Sequence, residues 1–288
     1  MLDEHRKPRS SERGIFICMC NSIVRSPNLF AGVPGAVSLL FFVGSLDSLP
    51  GVWYNGSTES CHQTTESRGF HMIQGNNYLN PVLDELAKQW PANRLVNVVC
   101  HGHSVPAGFF ATPYVNTFGA YPHLLHKRIK ERFPFAVTNV IVTAIGGETS
   151  VSGAQRFERD VMSHRPDVLT IDYGLNDRGV GLERAADAWK SMIEQALSQN
   201  VKVILCTPTW ERAYYEQNES WKQLVLHAEQ IRTLADRYDV GLADSFKAFE
   251  RHVSEPMDLA TYLSHVNHPT EAGHQLVADE IARYFVAR

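Results

Sequence analysis

The sequence predicts an α/β protein, a three-layer α/β/α sandwich built on a five-stranded parallel sheet. Three observations carry that expectation. Five short apolar runs rich in β-branched residues read as buried strands, beginning near Leu95, Val137, Asp167, Val201 and Val240. Between them lie stretches whose apolar residues recur at helical spacing, and parallel neighbours require such crossovers. No internal repeat divides the 288 residues, which suit one such domain plus an extension.

Residues 1–70 read as the extension and 71–288 as the domain. The first 18 residues are polar and charged. Leu29–Ser45 then contains Ala36-Val-Ser-Leu-Leu-Phe-Phe-Val-Gly44, too short for a membrane span but of the length of a signal-peptide apolar region. Arg25 precedes it, and Val43-Gly44-Ser45 has the small residues of a cleavage site. Two readings stand. Either translation starts at Met19 and the chain is secreted or periplasmic, or the segment is a buried N-terminal piece of a cytoplasmic protein. Residues 46–70, rich in Ser, Thr and Gly, read as a linker.

A helix is expected from Tyr78, with Leu79, Val82, Leu83 and Leu86 on one face and Pro91 as its stop. The first strand runs from Leu95 into His101-Gly-His-Ser104. Tyr121–Lys130 follows as a helix with Leu124, Leu125 and Ile129 inward. Strand Val137–Thr143, helix Gly153–Ser163 and strand Asp167–Ile171 come next. Helix Leu182–Gln199 carries a stripe of Ala185, Trp189, Met192 and Ala196, and strand Val201–Leu205 follows it. Helix Trp221–Tyr238 carries Leu224, Ala228, Ile231 and Ala235. A short strand at Val240–Ala243 and a helix over Glu271–Val286 complete the pattern.

Composition narrows the function. Hydrophobic residues make up 44% and charged residues 20%, enough for a real core. A net charge of −4 provides no basic footprint for nucleic acid or an anionic membrane. The cysteines, Cys18, Cys20, Cys61, Cys100 and Cys206, have neither disulfide-framework nor zinc-site spacing, and Cys100 and Cys206 end apolar strands as buried thiols. Neither glycine-rich phosphate-binding motif occurs, which removes nucleotide binding.

Four blocks sit where chemistry is expected, three of them after strands, at the sheet edge where ligands bind in open α/β folds. His101-Gly-His-Ser104 follows the first strand, with Pro106 and Gly108 making a tight turn. Ala144-Ile-Gly-Gly147-Glu-Thr149 follows the second, and its paired glycines let a backbone N–H approach a ligand. Asp172-Tyr-Gly-Leu-Asn176-Asp177 follows the third and offers a side-chain amide. Val266-Asn-His268-Pro precedes the last helix, with Pro269 stiffening the loop.

In this order the blocks resemble those of the SGNH (GDSL-like) hydrolases, over about two-thirds of the chain, residues 95–286. The resemblance implies a flavodoxin-like sheet and a serine esterase that needs no cofactor or metal and works through an acyl-enzyme. Ser104 would be the nucleophile and His268 the acid–base. The N–H groups of Ser104 and Gly147 and the amide of Asn176 would form the oxyanion hole. Two positions depart from the family pattern. His103 stands where an aspartate usually precedes the serine. His265, with Ser264 before it, stands where an aspartate usually precedes the histidine by three. Asp258 or His265 could orient His268 instead, or a backbone carbonyl could hold it as a dyad.

The implied substrate is a small acyl ester, acetyl above all, on a carbohydrate or another small molecule. Trp210, Tyr214 and Tyr215 serve either as a sugar platform or as cover for the core. Glu148 and Asp177 read as capping or solvated carboxylates, Arg178 as either a surface residue or a substrate contact, and His274 as structural. Two alternatives remain. His101 and His103 have the spacing of a strand-borne metal pair, although barrel hydrolases that use it need eight strand–helix units. The domain could also be a degenerate one that only binds a ligand.

Overall fold

The computed structural model describes residues 77–286. The expectations for residues 1–70, with the segment Leu29–Ser45, the start at Met19, and Cys18, Cys20 and Cys61, lie outside the described residues.

Strands β1 (Leu95–Gly102), β2 (Val137–Val142), β3 (Val168–Asp172), β4 (Lys202–Cys206) and β5 (Gly241–Ala243) form one sheet in the order β2-β1-β3-β4-β5. Every neighbouring pair is parallel. Side chains alternate across it with the two-residue period of a strand. Val96, Val98 and Cys100 of β1 pack on one face, against Leu125 and Ile129 of α2 (Tyr121–Arg132) and Val277 and Ile281 of α9 (Glu271–Ala282). Val99, Leu169, Ile171 and Val203 pack on the other, against Trp189 and Ile193 of α5 (Leu182–Ser198) and Ile231 and Leu234 of α6 (Glu219–Tyr238). The three-layer sandwich is therefore as the sequence predicts. Leu79 and the short helix α1 (Asn80–Leu86) add to the first face.

Three elements differ from the expectation. The helix expected over Gly153–Ser163 begins earlier and is broken into α3 (Ser150–Gln155), α4 (Phe157–Asp160) and a 3-10 turn at Met162–His164. Thr149 and Ser152 form a capping box that starts α3 early. A helix α7 (Ser245–His252) follows β5, capped by the Asp244 carboxylate, which accepts from Lys247 N–H. Its apolar residues Phe246 and Phe249, with Val253 just past its end, form a helical stripe in the sequence. A single-turn helix α8 (Leu259–Tyr262) leads into the loop before α9.

The chain leaves β1 for β2 on one side and returns to β3 on the other. The loops after β1 and β3 therefore diverge, and a crevice opens at this switch of strand order. The two strands stay in close register to their ends, with Gly102 opposite Asp172. A Cβ at Gly102 would stand 2.4 Å from the Asp172 carbonyl oxygen and 2.8 Å from Pro106. Gly102→Ala is accordingly expected to lower stability by about 1–3 kcal/mol, the usual range for overpacking, read as a shift of the urea midpoint. An unchanged midpoint would mean that the strand ends stand further apart than this.

Candidate active site

Ser104 opens a single helical turn beyond β1. Ala107 N–H donates to the His103 carbonyl, Gly108 N–H to that of Val105 and Phe109 N–H to that of Ser104. Gly108 ends the turn with φ of +88°, a conformation that favours glycine. The turn buries Ser104 and leaves its N–H without an acceptor among the described residues.

His268 arrives from 164 residues further along the chain, and its Nε2 lies 3.0 Å from Ser104 Oγ. Its loop is stitched on both sides. Ser264 N–H donates to the His268 carbonyl, Ser264 Oγ reaches the carbonyls of His268 and Pro269, and Thr270 caps α9. The Nδ1–H of His268 donates to the main-chain carbonyl of Phe110 at 2.8 Å. A carbonyl can only accept, so this bond puts the proton on Nδ1 and turns the Nε2 lone pair toward Ser104. Burial holds the His268 pKa below its ordinary 6.5. The Phe110 carbonyl works against that, while His103 and His265 add to the depression.

The backbone carbonyl is thus one of the arrangements that the sequence left open. Asp258 and His265, the side-chain candidates for orienting His268, stand elsewhere. The Asp258 carboxylate caps its own turn, accepting from the N–H groups of Ser254 and Glu255 and from Ser254 Oγ. His265 is exposed and makes no hydrogen bond to His268. Phe110 carried no side-chain signal for this role, since its contribution is a carbonyl.

Gly147 has φ of +79° and lies in open space, and its N–H has no acceptor among the described residues. Asn176 Nδ2 donates one hydrogen to the Glu148 carbonyl at 2.9 Å, which ties the third block to the second and leaves the other hydrogen available. Beneath them the carboxylates are structural. Glu148 pairs with Arg156 and accepts from Tyr173 Oη at 2.7 Å. Asp177 is buried and accepts from Ser150 N–H and Trp189 Nε1. Arg178 pairs with the buried Glu211. Trp210 stacks with Tyr214 and packs on Trp221 and Phe246, the core-covering reading of the two.

His101 and His103 face different partners. The His101 ring lies 2.9 Å from Thr143 Oγ1 and 3.0 Å from Tyr173 Oη, on the sheet face that carries Phe157. His103 turns to Asp172 and Val105. Among the described residues no group of three or more His, Cys, Asp or Glu side chains is arranged to hold a metal ion. No helix among them is long and apolar enough to cross a membrane.

The model of the GDSL-like Lipase/Acylhydrolase family matches residues 100–276. No curated protein matches the chain. Among solved structures, an acetylxylan esterase from Geobacillus stearothermophilus is 20% identical, with a TM-score of 0.59 over 67% of this chain and 95% of that one. An α/β hydrolase enzyme from the metagenome of Lake Arreo, Spain, is 21% identical, with a TM-score of 0.56 over 66% of this chain and 94% of that one. At such identities the likeness is one of fold.

Burial lowers the pKa of His101 and His227 to about 4 and that of His274 to about 3. The unfolded chain protonates these rings as the pH drops below 6.5, whereas the folded chain does not. Stability present at neutral pH is therefore lost as the pH falls from 6.5 toward 4. The thermal midpoint is expected to decline over that window, and His227→Asn to flatten the decline. A midpoint that holds level from pH 6.5 to 4 would contradict neutral buried rings.

Proposed function

Because the chain belongs to the GDSL-like lipase/acylhydrolase family and is thereby a carboxylic ester hydrolase, we propose that Ser104 and His268 carry its reaction as a dyad. The contact of 3.0 Å between Ser104 Oγ and His268 Nε2 carries this reading. Ser104 Oγ attacks the ester carbonyl carbon, and its proton passes to His268 Nε2. The carbonyl π pair moves onto oxygen, where the N–H groups of Ser104 and Gly147 and the free amide hydrogen of Asn176 receive it. Collapse expels the alcohol with the proton from His268. Water then attacks the acyl-enzyme by the same route, releasing the carboxylic acid and restoring Ser104. Throughout, the Phe110 carbonyl keeps Nδ1 protonated and its dipole favours the imidazolium.

The substrate class is a small acyl ester, acetyl on a carbohydrate. The acetylxylan esterase among the fold relatives suggests the acetyl group and the sugar. Phe109 supports a short acyl chain. Its ring packs on His268 with centroids 5.9 Å apart and would touch a Cβ at Gly146 at 3.0 Å, so it fills space between the base and the glycine loop.

With p-nitrophenyl acetate and acetylated xylo-oligosaccharides, Ser104→Ala is expected to lower kcat by at least about 10³-fold and Asn176→Ala by about 10²–10³-fold, with EDTA without effect. The acid limb of kcat/KM is expected to have its midpoint below pH 6.5, since His268 must be neutral to accept the proton. Activity that survives Ser104→Ala and dies with EDTA would instead favour the metal pair. Phe109→Ala is expected to raise hydrolysis of the butyrate ester relative to the acetate, and an unchanged ratio would remove Phe109 from acyl selection.

A further inference from the structure

The dyad leaves unused a buried pair beside the nucleophile. His103 and Asp172 are 1% and 4% exposed, and His103 Nε2 lies 3.4 Å from Asp172 Oδ1. Among the described residues no Lys, Arg or other His stands within ion-pair distance of that carboxylate. Its nearest basic group is His103 Nε2, which stands at ion-pair distance without hydrogen-bond geometry and has no other partner among the described residues; a buried carboxylate left wholly unpaired would be strongly destabilising. The other ring nitrogen, Nδ1, accepts from Val105 N–H at 3.2 Å and therefore carries no proton. That same Nδ1 lies 3.5 Å from Ser104 Oγ. Main chain holds the arrangement, because His103 N–H donates to the Asp172 carbonyl at 3.2 Å. The Ser104 hydroxyl thus has two imidazole acceptors, His268 Nε2 at 3.0 Å and His103 Nδ1 at 3.5 Å.

We propose that His103, oriented by Asp172, is a second base for Ser104, so that the carboxylate missing behind His268 stands behind the neighbouring histidine. The proposal rests on the serine-esterase reading above. On this route the Ser104 O–H bond breaks and its proton goes to His103 Nδ1, while Oγ bonds to the carbonyl carbon and the π pair moves to oxygen. The imidazolium keeps its Nε2–H toward Asp172, which balances the charge as the carboxylate of a triad does. On collapse the same proton leaves Nδ1 for the departing alkoxide. Protonation at Nδ1 deprives Val105 N–H of its acceptor. Because of that loss and the longer distance, His268 carries most of the wild-type flux.

The test is a set of variants of the full chain assayed with p-nitrophenyl acetate against the Ser104→Ala baseline. His103→Asn keeps an oxygen near the place of Nδ1 to accept from Val105 N–H, but it cannot take a proton. His103→Gln, whose amide reaches the place of Nε2, likewise cannot take a proton and serves as the second variant should the asparagine variant not fold. His268→Ala is expected to retain turnover about 10²-fold above Ser104→Ala, within the range that one general base contributes. Adding His103→Asn is expected to bring it down to the Ser104→Ala level. Adding Asp172→Asn to His268→Ala is expected to lower kcat about tenfold or more with KM unchanged, and to have no further effect once His103→Asn is present. That dependence on His103 separates a positioning role from a general loss of structure. A His268→Ala variant already at the Ser104→Ala level, or one indifferent to His103→Asn, overturns the second base while leaving the dyad intact. A fully active Ser104→Ala protein overturns the serine reading, and the proposal with it.

Discussion

Between the carboxyl ends of β1 and β3 the backbones run so close that position 102 has no room for a side chain, and the ladder continues one residue beyond β1 through His103 N–H and the Asp172 carbonyl. Because the connections from these two strands go to opposite sides, that same place is the crevice of the sheet. Ser104 is the first residue past the ladder, and Asp172 the last residue of β3. Ser104, the neighbouring histidine and the buried carboxylate are therefore positioned by main-chain pairing, which is stiffer than any loop. Ile145 N–H donates to the Gly102 carbonyl from the other flank, so the glycine loop that carries Gly147 is anchored to the same strand end.

The histidine is held differently. His268 lies on a loop, and its ring is fixed by the carbonyl of Phe110 on another loop, with Phe109 packed on it. A carbonyl settles the tautomer as a carboxylate would, but it brings a dipole in place of a full charge, and burial then keeps the ring neutral. Such a ring is ready to accept a proton at neutral pH and gains less on becoming charged. The partly buried Glu148–Arg156 pair and Asp177 do another task, fastening the second and third blocks to each other through Tyr173, to α3 through Ser150 and to α5 through Trp189.

Periodicity made most of the architecture legible. Runs such as Val96–Cys100 and the stripe of Ala185, Trp189, Met192 and Ala196 are imposed by a sheet buried on both faces, so the fold and its five strands could be read directly. The break of α3 at Arg156 could not, since it arises where the chain turns to pair Arg156 with Glu148. Helix α7 could have been read from Asp244 and the spacing of Phe246, Phe249 and Val253, a local signal of ordinary strength.

Ser104, Gly147, Asn176 and His268, the residues of the proposed site, could be singled out from sequence because each lies within a short motif, in a fixed order along an α/β chain, and the structure places Ser104 Oγ and His268 Nε2 within 3.0 Å. What orients His268 was decided only in three dimensions. The acceptor is a carbonyl, which every residue possesses and no motif marks, and it comes from 158 residues away. The same holds for His103. Its identity was visible, but its meeting with Asp172 depends on β3 lying beside β1, a neighbourhood created by the order of strands in the sheet and not by their order in the chain.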